Sequence, residues 1–88
     1  FNHKFRICVI HKNIPKMLTK ITDTLSTENV NIENLLNKSR KDIAYTMLDL
    51  DHEASDDIIN KIRQIDGVTR VTTYAGELYR WPYPSRKW

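Results

Sequence analysis

Cysteine, glycine and proline are scarce in this 88-residue chain, which holds one, two and three of them. The lone Cys8 cannot close an internal disulfide, and its place in an apolar run predicts a buried, inert thiol rather than a nucleophile. Gly67 and Gly76 are too few to build a glycine-rich phosphate loop. Two of the prolines, Pro82 and Pro84, lie near the C-terminus, so the rest of the chain has the makeup of packed structure rather than linker. No run approaches the roughly 18 apolar residues of a membrane-spanning helix, and residues 1–10 lack the apolar core of a secretory signal. No membrane partner and a soluble, cytoplasmic setting are therefore expected. The formal charge of +3 resides in the last residues, where Arg80, Arg86 and Lys87 stand without an acid. The remainder is close to neutral, and no nucleic-acid partner is expected of it. The chain begins at Phe1 rather than Met and is expected to be a piece of a longer protein.

What is present is a succession of apolar periods that fits one small domain. FRICVIH over 5–11 puts Phe5, Ile7 and Val9 on one face and Cys8 and Ile10 on the other, as in a central strand buried on both sides. Pro15 suits a helix's first turn, and Met17, Leu18, Ile21 and Leu25 follow at helical spacing, which predicts a helix from about 15 to 28. Asn29 is a left-handed stop. The more polar run over 30–38 reads as an edge strand, Ser39 to Asp42 as a turn, and IAYTMLDL over 43–50 as a second central strand. Ser55 is a good N-cap, with Asp56 and Asp57 where the helix dipole favours negative charge. Ile58, Ile59, Ile62 and Ile65 mark the apolar face of that helix, which is expected to stop at Asp66-Gly67 before a strand over 68–74. The order β-α-β-β-α-β is that of an α+β, ferredoxin-like domain over 5–74, a four-stranded antiparallel sheet with both helices on one face. Residues 75–88 are a basic, aromatic C-terminal tail whose composition would suit stacking on bases or covering a partner surface, and it reads first as an ordinary ending that either packs on its own domain or is disordered.

The chemistry-bearing residues exclude more than they offer. His3, His11 and His52 are scattered over a terminus, a strand end and a loop, so no metal site is expected. Asp49 and Asp51 stand at the end of a strand, where Asp is common for turn-forming reasons, and neither is assigned catalysis. No nucleophile elbow or catalytic trio is fixed by spacing, and no catalytic residue is assigned. There remains His11-Lys12-Asn13-Ile14-Pro15, where the first strand meets the first helix. Such a junction sets side-chain donors and acceptors beside the free N–H groups of a helix start, which suits a carboxylate. The same residues also suit a turn that merely ends the strand.

RICVIHKNIPKMLTKI, followed by STENVNIENLLNKSR and IAYTMLDLD, resembles the ACT domain that ends many D-3-phosphoglycerate dehydrogenases. The resemblance covers about residues 5–71 and rests on H-x-N-x-P, V-N-I and A-Y-T-x-x-D in that order. It implies a non-catalytic domain that senses L-serine, with His11 and Asn13 in the effector pocket and Asn31 reaching it across a subunit interface. It implies a parent enzyme that uses NAD, while no cofactor is expected in this domain. The family usually has Gly after the Pro, where this chain has Lys16. A homodimer through the edge strand 30–38 is expected. Two other readings stand beside this one: a dimerisation domain without an effector, and an RNA-recognition module of the same strand order. The second lacks the spaced aromatic series that stacks bases.

Overall fold

Apolar residues alternate to both sides of β1 (Phe5–Lys12), and this strand accordingly lies inside the sheet, between β3 (Ile43–Leu50) and β4 (Val68–Ala75). The computed structural model describes residues 5–75. The polar β2 (Ile32–Arg40) takes the edge beyond β3, so the strand order is β2-β3-β1-β4, with each neighbouring pair antiparallel. α1 (Met17–Thr27) links β1 to β2, and α2 (Asp56–Arg63) links β3 to β4. Ile21 and Leu25 of α1 and Ile58, Ile59 and Ile62 of α2 pack with Phe5, Ile7, Val9, Leu48, Leu50 and Val71 in one core. Both helices thus cover the same face of the sheet, and the architecture is ferredoxin-like. Full burial of one such aliphatic side chain contributes about 1.5–3 kcal/mol.

Several boundaries differ from the sequence-based expectation for identifiable reasons. α1 starts at Met17 rather than at 15, because Lys16 takes a left-handed conformation (φ 70°, ψ 0°) that no helix can pass through. The carbonyl of Lys16 accepts the first helical bond from Lys20 N at 3.0 Å, and Lys16 is therefore the N-cap. Asn29, with φ 63°, is the left-handed stop expected of it. β2 is shifted to 32–40: Val30 is buried in the core before the strand begins, and the turn contracts to Lys41-Asp42, with Lys41 at φ 57°. α2 ends at Arg63 because Gln64 and Ile65 tighten onto the carbonyls three residues back. Ile65 still packs on the core, and Gly67, at φ 104°, turns the chain into β4. Ser55 caps α2 as expected, its hydroxyl oxygen accepting from Ile58 N at 3.3 Å. His3 and all of the tail beyond Ala75 lie outside the described residues.

Candidate functional site

Three connections converge at the end of the sheet where β1 runs into α1. Lys12 N donates to Gly67 O at 2.9 Å, which ties the end of β1 to the turn after α2. Asn13 N donates to Asp42 O at 2.8 Å, and Asn13 Nδ2 donates to Lys41 O at 3.0 Å, which ties the same segment to the β2–β3 turn. Residues 12–16 are exposed, so the turn between Asn13 and Lys16 is held at its base and open above. Gly67 adds a packing constraint: a Cβ built there would lie 3.1 Å from Met17 Sδ and 3.7 Å from Ile14 Cδ1. Glycine therefore lets the α2–β4 turn press against the start of α1.

The two helix starts contrast. α2 is capped by Ser55 and carries Asp56 and Asp57 in its first turn, whereas α1 has no side-chain cap and no acid in its first turn. The first N–H groups of any α-helix have no carbonyl partner within it, and they carry the positive end of its dipole. At α1 these groups face the exposed turn, flanked in sequence by Lys12, Lys16 and Lys20. An anion, and a carboxylate above all, complements that end.

The residues singled out from the sequence are placed unequally. His11 is 3% exposed and sits on the helix-covered side of β1. Its Nε2 lies 2.8 Å from Thr46 Oγ1 and its Nδ1 2.9 Å from Lys12 O, so both ring nitrogens are engaged within the fold. The Thr46 hydroxyl in turn donates to Asn37 Oδ1 at 2.7 Å, and a polar chain thus runs from β1 through β3 to the edge strand. Asn13 is exposed beside the turn. Asn31 is exposed at the other end of the sheet, where its carbonyl accepts from Asp51 N at 3.1 Å. It precedes Ile32, whose partner on β3 is Leu50, while His11 pairs with Ala44. That separation along β3 is about 20 Å at roughly 3.3 Å per residue. Within one copy, His11 and Asn13 share an end of the sheet and Asn31 does not.

No role at the site was assigned from the sequence to Thr46, Asn37, Lys41 or Gly67, although Lys41 was placed in a turn, Gly67 at a helix stop, and Thr46 is the Thr of A-Y-T-x-x-D. The Asp of that motif, Asp49, is 1% exposed and accepts from Arg6 Nε at 2.5 Å and Arg6 Nη2 at 3.1 Å. Its function is to neutralise a buried guanidinium, and an Asp inside a central strand was the available signal. Cys8 accepts from the Tyr45 hydroxyl at 3.4 Å, and burial pushes its thiol up to about 11. Among the described residues, no group of three or more His, Cys, Asp and Glu is placed to hold a metal ion. No described helix is long and apolar enough to cross a membrane. A depression of about 340 Å³ beside β4 is lined by Arg63, Val68, Thr69, Arg70 and Val71, which supply no side-chain carboxylate or amide to receive an ammonium.

The profile of the ACT domain family matches residues 2–72. The chain belongs to the ACT domain family. Among solved structures, it is similar to the ACT domain from GTP pyrophosphokinase of Chlorobium tepidum in its crystal form, with a TM-score of 0.68 and 19% identity over 83% of this chain and 100% of that one. It is also similar to the C-terminal domain of the MgtC protein from Mycobacterium tuberculosis, with a TM-score of 0.58 and 19% identity over 86% of this chain and 89% of that one. A protein of unknown function from Galdieria sulphuraria gives a TM-score of 0.71 at 13% identity, over 91% of this chain and 48% of that one. Likeness at these identities concerns the fold. No curated protein matches. ACT domains are non-catalytic regulatory modules that generally bind small amino-acid effectors and dimerise.

Proposed function

We propose that this ACT domain binds a small amino acid, with L-serine the first candidate, at the turn between Asn13 and Lys16, and that a second copy completes the site. The observation that carries this reading is the uncapped, acid-free start of α1 beneath an exposed turn. The effector carboxylate caps the free N–H groups of α1. The amide of Asn13 has both an acceptor for the ammonium and a donor for a hydroxyl or carboxylate. His11 acts through the fold: with both ring nitrogens engaged, it fixes the end of β1 beneath the turn rather than offering a free donor.

Asn31 enters from the partner. β2 is an edge strand without proline, and its open N–H and C=O groups favour pairing with a second β2. Two-fold symmetry makes that pairing antiparallel, so the partner's β2 begins beside the end of this one. The partner's Asn31 then stands next to the Lys41-Asp42 turn, which holds Asn13. The 20 Å gap within one copy thereby becomes a juxtaposition between two.

The parent we favour is an NAD-dependent D-3-phosphoglycerate dehydrogenase-like enzyme of serine biosynthesis, on the ordered motifs H-x-N-x-P, V-N-I and A-Y-T-x-x-D. A GTP pyrophosphokinase-like parent is the second reading, favoured by the fit of this chain to the whole C. tepidum domain. Calorimetry of the 88-residue chain against the twenty amino acids tests the binding claim. Saturable heat with L-serine or a close relative is expected, and Asn31→Ala should weaken it by about 1–3 kcal/mol, the cost of leaving a buried polar partner unpaired. Absence of heat with every amino acid would leave a dimerisation domain without an effector.

A further inference from the structure

The end of the sheet that holds the Asn13–Lys16 turn is cationic well beyond that turn. Lys12, Lys16, Arg40, Lys41, Arg63 and Arg70 gather there from the end of β1, the β2–β3 turn, the end of α2 and the start of β4. The acids of that end, among the described residues, are Asp42 and Asp66, whereas Asp51, Glu53, Asp56 and Asp57 stand at the opposite end. A surface of one sign concentrates small ions of the other.

On its β4 side this end contains the depression of about 340 Å³ lined by Arg63, Val68, Thr69, Arg70 and Val71. Small-ligand sites run from roughly 300 to 1,000 Å³. A β-bulge shapes it: His11 pairs with Val68 and Ile10 with Arg70, so Thr69 is an extra residue without a partner on β1. In a regular strand, residues three apart face opposite ways, yet Val68 and Val71 both pack on the core, and the bulge is what allows it. Thr69 and Arg70 are left exposed above that apolar base. Arg63, the last residue of α2, stands across from them, and its Nη1 donates to the neutral Asn60 Oδ1 at 3.2 Å. Among the described residues, neither Arg63 nor Arg70 is paired with a carboxylate.

We propose that this depression binds the phosphate group of a small phosphomonoester, at residues distinct from those of the effector turn. Two guanidinium forks and the Thr69 hydroxyl match a group that carries close to two negative charges and three acceptor oxygens. A carboxylate offers one charge and two oxygens. The base of Val68 and Val71 gives the ester's carbon skeleton an apolar surface that inorganic phosphate cannot use. An acidic extended segment is the less suitable occupant, because a bulge interrupts the regular ladder that strand addition needs.

Amide NMR titrations of the intact 88-residue chain with glycerol phosphate, inorganic phosphate and glycerol test this. Glycerol phosphate should give saturable shifts centred on Arg63, Thr69 and Arg70, inorganic phosphate weaker ones at the same amides, and glycerol none. Arg63→Gln with Arg70→Gln should weaken glycerol phosphate at least about tenfold while circular dichroism holds, and Asn13→Ala should leave it unchanged. Shifts centred on Met17 and Leu18 would place the anion at the start of α1 and overturn the proposal. So would non-saturating shifts spread over the cationic end, equal affinity for the ester and inorganic phosphate, or full binding by the double variant. Shifts along the whole of β4 with a glutamate-rich peptide, and none with glycerol phosphate, would make this a strand-docking edge instead. If the double variant does not fold, the shift map of the unaltered chain decides alone.

Discussion

Lys16 holds a left-handed conformation, φ 70°, that costs an L-residue about 1–2 kcal/mol, and it stands where the resembled family usually has glycine. As the N-cap it lies outside the helix, so its replacement by glycine carries no helix-interior penalty. Lys16→Gly is therefore expected to stabilise the domain by about 0.5–1 kcal/mol in urea unfolding, the relief of strain being partly offset by the freer unfolded chain. It should also tighten the amino-acid effector in calorimetry, because the shorter residue lets a carboxylate approach the main chain. A destabilised Lys16→Gly domain would mean that lysine contacts stabilise this turn. The motif positions were legible in the sequence, but their chemistry only in part. Nothing local announces a positive φ at a lysine, and the chain His11–Thr46–Asn37 joins residues far apart in sequence through a strand register that periodicity does not supply. The same holds for Arg6 and Asp49, 43 residues apart.

Among the elements, the α2–β4 turn acts on the start of α1. Gly67 combines φ 104° with a close approach to Met17, and its carbonyl receives Lys12 N. Gly67→Ala introduces strain and a 3.1 Å contact at once. Destabilisation of about 1–2 kcal/mol or more is expected in urea unfolding, with amide NMR shifts at Met17 and Leu18 although neither is mutated. Shifts confined to residues 65–69 would show that the two turns are not coupled. Element order, strand faces and the Ser55 cap were legible because period, capping and dipole agree at those places. The boundaries that moved are those set by one backbone angle or by a tertiary bond: Lys16 at the start of α1, Lys41 in the β2–β3 turn, and the tightened last turn of α2.

At the scale of the whole molecule, the central claim is that one effector site is divided between two copies, with Asn13 supplied by one and Asn31 by the other. The two residues lie at opposite ends of the sheet in a single copy, and the proposed antiparallel pairing of two β2 strands would bring them together. A mixing experiment tests this most directly. Asn13→Ala and Asn31→Ala chains, each folded by circular dichroism and each weakened in effector binding, are combined in equal amounts, allowed to exchange subunits, and titrated by calorimetry. Half of the dimers are then mixed and each holds one intact site, so about a quarter of the sites should bind with the original affinity. A mixture that binds no better than either variant alone would contradict the shared site.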